Sequence, residues 1–131
     1  MKRFLPFTLL LLLVACNNET ATIKDAAYGY CHALANYNLD EAELYCTEET
    51  KVSFLATSRY MISLLDTAYI AKDTPAEVDI ETVERTSDTT AVVHYRKRTP
   101  IKDLTYDLDM RKRDGMWLAH APMVKNNAVT Q

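Results

Sequence analysis

The residues of this chain that could do chemistry are cysteines, a scatter of histidines and carboxylates, and eight tyrosines. His94, Asp109 and His120 form the one arrangement resembling a metal site, because imidazole and carboxylate together suit zinc. If the strand-like segments 90–98 and 104–112 pair with Arg96 opposite Asp107, then His94 opposes Asp109. A hairpin at Asp114-Gly115 would set His120 on Asp109's other side. Such a triple lies on the outer, wet face of the sheet, where cross-strand ionic pairing accounts for it, so neither a metal nor another cofactor is expected. No Ser-His-Asp set, glycine-rich phosphate loop or paired-cysteine metal motif occurs. Two glycines leave little from which to build a phosphate cradle.

Cys31 and Cys46 flank Asn38, where two helical patterns meet. In an antiparallel helical hairpin they fall opposite each other, and the expectation is a disulfide worth ~3 kcal/mol in the chain-entropy model. The alternative is two buried thiols packing as small apolar groups. Tyrosine offers a flat apolar body with a polar tip, suited to sugars or other amphipathic ligands. Most of the tyrosines fall on core stripes; Tyr95 and Tyr106, with Trp117, are the candidate ligand-binding set.

The third cysteine, Cys16, closes a different pattern. Lys2 and Arg3 precede the apolar run Phe4 to Ala15, and Leu13-Val14-Ala15-Cys16 resembles the lipobox of secreted lipoproteins. The run is shorter than the roughly 20 residues that span a bilayer. Residues 1–15 therefore read as a signal peptide, Cys16 as the lipidation site and residues 16–21 as a lipidated tether. Two acyl chains give stable membrane anchoring, so the expected location is the cell envelope, on a bacterial membrane, periplasm-facing or surface-exposed. Removing residues 1–15 leaves 116 of the 131 residues, enough for one modest core. Without Lys2 and Arg3 the 15 basic side chains become 13 against 18 acidic ones. That balance, and the acidic neighbours of the one basic cluster at Arg111-Lys112-Arg113, argue against nucleic acid as a partner.

From Thr22 the apolar residues Ile23, Ala26, Ala27, Tyr30, Leu34 and Tyr37 recur at helical spacing. Asn38 and Asp40 can cap a short second helix, and a third pattern runs from about Lys51 to Ala71, its breadth predicting burial on two sides. Pro75 ends it. Beyond Pro75 the period becomes two. Glu77 to Glu84 alternates until a shift at Val83, the mark of a bulge. Thr90 to Arg98 and Leu104 to Lys112 follow, and Asp114-Gly115 is a hairpin turn into Met116 to Ala121. The turn sets Trp117 beside Lys112 and Ala119 beside Met110. Residues 126–131 read as a flexible tail.

Helices followed by an antiparallel meander give an α+β class, with N-terminal helices on one face of a four-stranded sheet. The passage Ala33-Leu34-Ala35-Asn36-Tyr37-Asn38-Leu39-Asp40-Glu41-Ala42, the closing Arg113-Asp114-Gly115-Met116-Trp117-Leu118 and the lipobox together resemble the nuclear-transport-factor-2-like, or cystatin-like, superfamily. More narrowly, the chain is similar to small bacterial lipoproteins of unknown function that carry this domain, here residues 22–125. The resemblance implies a curved sheet forming a cone around a helix, often with a small molecule inside. Some members are isomerases, cyclases or dehydratases with Asp, His or Tyr in the pocket. No such residue carries over, because the inferred concave face (Val93, Tyr95, Leu104, Tyr106, Leu108, Met110, Trp117 and Ala119) holds no carboxylate or imidazole; a helix could supply Asp25 or His32. The expected function is a membrane-anchored lipoprotein with a non-catalytic binding or interaction domain, a pocket enzyme on the same fold being the alternative. A small molecule, a protein, or a second copy docking through the outer sheet face remain open as partners.

Overall fold

An apolar stripe on a helix has to lie against another apolar surface, and the second half of this chain supplies it as a sheet. The structure, a computed structural model, describes residues 5–123, with side chains from Asn18 onward. Lys2 and Arg3 of the expected signal, the Cys16 thiol and the expected tail 126–131 lie outside the described residues.

The first helix, α1, is Leu5–Ala35. Its Ile23, Ala27, Tyr30 and Cys31 are almost fully buried, as the stripe predicts. The helix does not begin at Thr22, however. Residues 16–21, expected as a lipidated tether, are helical, and Glu19 accepts a hydrogen bond from Lys112 Nζ at 3.1 Å and lies 3.6 Å from Arg85. Pairing to the sheet thus carries the helix past the point where apolar periodicity stops. Among the described residues no helix is long and apolar enough to cross a membrane.

At its other end α1 closes in a Schellman turn, with Tyr37 N–H donating to Leu34 O at 3.1 Å and Asn38 N–H to Ala33 O at 2.8 Å. Tyr37 takes the left-handed conformation, φ +63°, that glycine usually occupies there. Its hydroxyl donates to the buried Asp73 carboxylate at 2.6 Å, which offsets the backbone cost. Asn38 then caps α2 (Leu39–Ala42), its side chain accepting from Glu41 N–H at 3.2 Å as expected. A 3₁₀ turn, Glu43–Tyr45, follows. A Cβ on Gly29 would stand 2.6 Å from the Tyr45 ring, so this glycine is what lets Tyr45 pack on α1.

The single long helix expected from Lys51 to Ala71 is broken. After α3 (Glu48–Thr50), its stretch holds a π-helical turn (Lys51–Leu55), α4 (Ala56–Ser63) and most of α5 (Thr67–Lys72). Asp66 causes the restart, because its carboxylate accepts from Ala68 N–H at 3.0 Å and competes with continued helix. The expected two-sided burial also fails. Tyr60, Met61 and Leu64 are more than half exposed, and Leu55 alone of this stretch is fully buried.

The strands β1 (Glu77–Arg85), β2 (Thr90–Arg98), β3 (Asp103–Arg113) and β4 (Met116–Ala119) form an open antiparallel meander in that order, with α1 across one face. This is the α+β class expected. The bulge falls between Ile80 and Thr82 rather than at Val83. Asp114 and Gly115 have φ of 52° and 79°, the paired positive values of the expected turn, and Lys112 opposes Trp117 and Met110 opposes Ala119 as predicted. The β2–β3 register differs by two residues from the pairing considered above, since Tyr95 opposes Tyr106 and His94 opposes Asp107. A shift of two leaves every side chain on its face, so hydrophobic pattern cannot distinguish the two registers. The four-residue connection 99–102, closed by Thr99 N–H to Lys102 O at 2.8 Å, selects the one observed.

Candidate functional site

Burial along the inner face of β3 falls steadily toward the β2–β3 hairpin, from Met110 at 0% exposed and Leu108 at 5% to Tyr106 at 38% and Leu104 at 44%. The reason is length: α1 ends at Ala35 while β2 and β3 run on. Where the helix stops covering the sheet, a cavity of about 340 Å³ opens. Tyr95 and Tyr106 form one wall as a directly opposed cross-strand pair, their rings stacked with centroids 5.3 Å apart. Tyr30, Cys31 and Leu34 of α1 face them, and Phe54 of the π-helical turn closes the side. Thr50, just before that turn, is tied to the chain just past β4, its hydroxyl accepting from Ala121 N–H at 2.9 Å. A second depression of about 280 Å³ adjoins the first, sharing Leu34, Phe54 and Lys97.

The phenols and the thiol of the cavity wall are polar without being ionised. Burial, and then the neighbouring thiols of Cys46 and Cys31, hold the Tyr30 phenol well above its ordinary pKa. Burial raises Cys31 to about 12, against a smaller opposing pull from the Tyr95 hydroxyl. Tyr95 itself is raised by burial and by Cys31. These groups are hydrogen-bond donors at any physiological pH. The Tyr30 hydroxyl is buried and has no hydrogen-bond partner among the described residues. A buried orphan of this kind costs about 1–3 kcal/mol and calls for an explanation.

Of the candidate ligand-binding set, the structure brings Tyr95 and Tyr106 together and leaves Trp117 apart. Trp117 is 3% exposed at the opposite end of the sheet, with the Arg85 guanidinium 5.6 Å from its ring centroid, and it borders a separate depression near Leu44 and Met116. Its indole N–H sits beside Glu19 without reaching hydrogen-bonding geometry. Asp25 and His32 do not line the main cavity; His32 stacks on Tyr28, centroids 5.3 Å apart. Tyr30, Cys31, Phe54 and Lys97 were missed as site residues. Lys97 was legible, since it continues the inner-face step Val93, Tyr95. Phe54 was not, because its position depends on the π-helical turn.

Cys31 and Cys46 are both free and buried, so the expected disulfide is not formed in this structure. The second helix is too short to carry Cys46 alongside α1. Cys46 instead has extended backbone, φ −129° and ψ 165°, in a parallel bridge to Ala119, and its Sγ lies 3.9 Å from Glu43 O. The His94–Asp109–His120 triple does not assemble either. His94 is held on the outer face by Asp107 and by Glu84, the latter at 2.7 Å, and these two carboxylates, Glu84 first, raise its pKa. His120 Nδ1 lies 2.9 Å from Thr47 Oγ1, and burial lowers its pKa. Among the described residues no group of three His, Cys, Asp or Glu side chains is placed to hold a metal.

Asp73 is the one acidic side chain that is fully buried among the described residues. Burial raises its pKa, but hydrogen bonds from Tyr37 (2.6 Å), Thr99 (2.8 Å) and Lys102 (3.3 Å) outweigh this and lower it. It lines neither depression and joins the end of α5 to the α1 turn and the β2–β3 hairpin. Its role is to hold the open end of the sheet in place.

The fold places the chain among known structures. No family model matches it, and no curated protein matches it. A solved NTF-2-like protein of unknown function from Shewanella oneidensis MR-1 is similar over 78% of this chain and 97% of its own, with a TM-score of 0.54 at 16% identity. At that identity the likeness is one of fold. The fold is thus similar to that of an NTF-2-like protein.

Proposed function

We propose that this protein is a membrane-anchored lipoprotein whose domain binds a small amphipathic ligand without transforming it. The observation that carries the binding role is the cavity of about 340 Å³ lined by stacked tyrosines, with an unpartnered phenol buried in its wall. Its size and its mixture of apolar surface with a few polar groups are those of small-molecule sites. Binding is favoured over the pocket-enzyme alternative because general acid–base chemistry needs a group that titrates near the operating pH, and the buried phenols and thiol are held far above it. The anchoring role rests on Lys2, Arg3, the apolar run and Cys16.

The neutral dye N-phenyl-1-naphthylamine tests the site. It should bind saturably, one per domain, and Leu34→Trp, which fills the cavity, should abolish the signal while circular dichroism is retained. Equal binding by both proteins would place the dye elsewhere and remove the support. For anchoring, cells given labelled palmitate should label the wild type and not Cys16→Ala; equal labelling would overturn the lipoprotein reading.

A further inference from the structure

The rim of the cavity carries one charge that the protein does not neutralise. Lys97 stands next after Val93 and Tyr95 on the inner face of β2, and it borders both adjoining depressions. Lys51, Lys102, Lys112, Arg59, Arg96, Arg98 and Arg113 all pair with carboxylates. Lys97 has no such partner among the described residues. Its Nζ instead lies 5.8 Å from the centroid of the Tyr106 ring, a cation–π contact that holds the ammonium against the cavity wall. Asp107 also borders the cavity, but its side chain belongs to the outer face of β3, where the carboxylate bonds His94. Tyr30, Cys31 and Tyr95, which line the cavity beside Lys97, are neutral. A cationic ligand head would meet the like charge of Lys97, and a neutral one would leave it uncompensated.

We infer that the ligand is a single-chain anionic amphiphile, its chain in the cavity and its head at Lys97. The inference rests on the binding role proposed above and names the ligand class for the same site. A cavity of about 340 Å³ suits one short chain and is small for a two-chain lipid.

Decanoate, decan-1-ol and decylammonium, each displacing N-phenyl-1-naphthylamine from the full domain, test it. Decanoate should bind about tenfold more tightly than either, the scale of one partly exposed charge-assisted contact. Lys97→Gln should remove that preference, so that decanoate and decan-1-ol bind alike. The Cys16→Ala protein, which carries no acyl anchor, should not cosediment with phosphatidylglycerol vesicles; cosedimentation lost in Lys97→Gln would make the bilayer the source and overturn the single-chain assignment. If decan-1-ol binds and decanoate binds no better, the anionic assignment falls while the binding role stands. If the dye itself fails to bind, the binding role falls.

Discussion

The two ends of the sheet are built from the same alternating pattern and behave differently. At the end beneath the N-terminal half of α1, the helix covers most of the inner face: Trp117, Met110 and Ala119 are buried, and Glu19 ties the helix to Lys112 and Arg85. At the other end the helix has stopped, and Tyr106 and Leu104 are left partly uncovered beside the cavity. The lesson is that an inner-face residue is core or ligand surface according to where the covering helix ends. Along α1 the cavity residue Leu34 lies 18 residues beyond Cys16, about 27 Å at the helical rise. If Cys16 is acylated as proposed, the open end faces away from the bilayer and exchanges ligand with the aqueous compartment.

The largest way to break this contrast is to release the open end. Asp73→Ala removes the acceptor shared by Tyr37, Thr99 and Lys102 and should cost on the order of 3 kcal/mol, read as a lower urea midpoint at unchanged slope. Gly29→Ala acts on the covered side. Alanine is the better helix former by about 1 kcal/mol, but the Tyr45 ring stands where its Cβ must go. A net loss of about 1–2 kcal/mol is expected by the same measurement; a gain would show that the ring moves freely.

Tyr30→Phe sharpens the comparison by separating ligand surface from core. Removing a buried hydroxyl that has no partner should stabilise the ligand-free protein by about 1 kcal/mol. In the covered end no substitution of a paired group should do this. A loss of stability would mean that the hydroxyl is satisfied in the native state.

The smallest effects come from surface ion pairs. The folded pKa of His94 is raised above 6.5 by Glu84 and Asp107, so its contribution is fully present below about pH 6.5 and is lost as pH rises through the raised value. Glu49 runs the other way. Arg113 lowers it to about 2, so that contribution is present above about pH 4.5 and is lost as pH falls toward 2. Thermal midpoints of wild type, His94→Gln and Glu49→Gln from pH 3 to 8 should converge at the alkaline end for the first variant and at the acid end for the second.

Much of the architecture was legible in local pattern. The α1 stripe, the Asn38 cap, the inner-face alternation of β3 and the Asp114-Gly115 turn depend on residues close in sequence, whose periodicity and backbone preferences act before any tertiary contact forms. The pairing of Trp117 with Lys112 followed from that turn alone. What long-range contacts decide was not legible. The β2–β3 register hung on a four-residue connection, and a two-residue slip is silent in the pattern. The two thiols remained apart because the chain after α2 extends along Ala119 instead of returning beside α1.

Sequence by itself therefore determined which residues line the inner face, because alternation fixes the side of the sheet to which each belongs. Only the tertiary structure decided which of them are core and which face a cavity. That choice is made by the point where α1 stops, set by the Tyr37 turn and its bond to Asp73, 36 residues further along the chain.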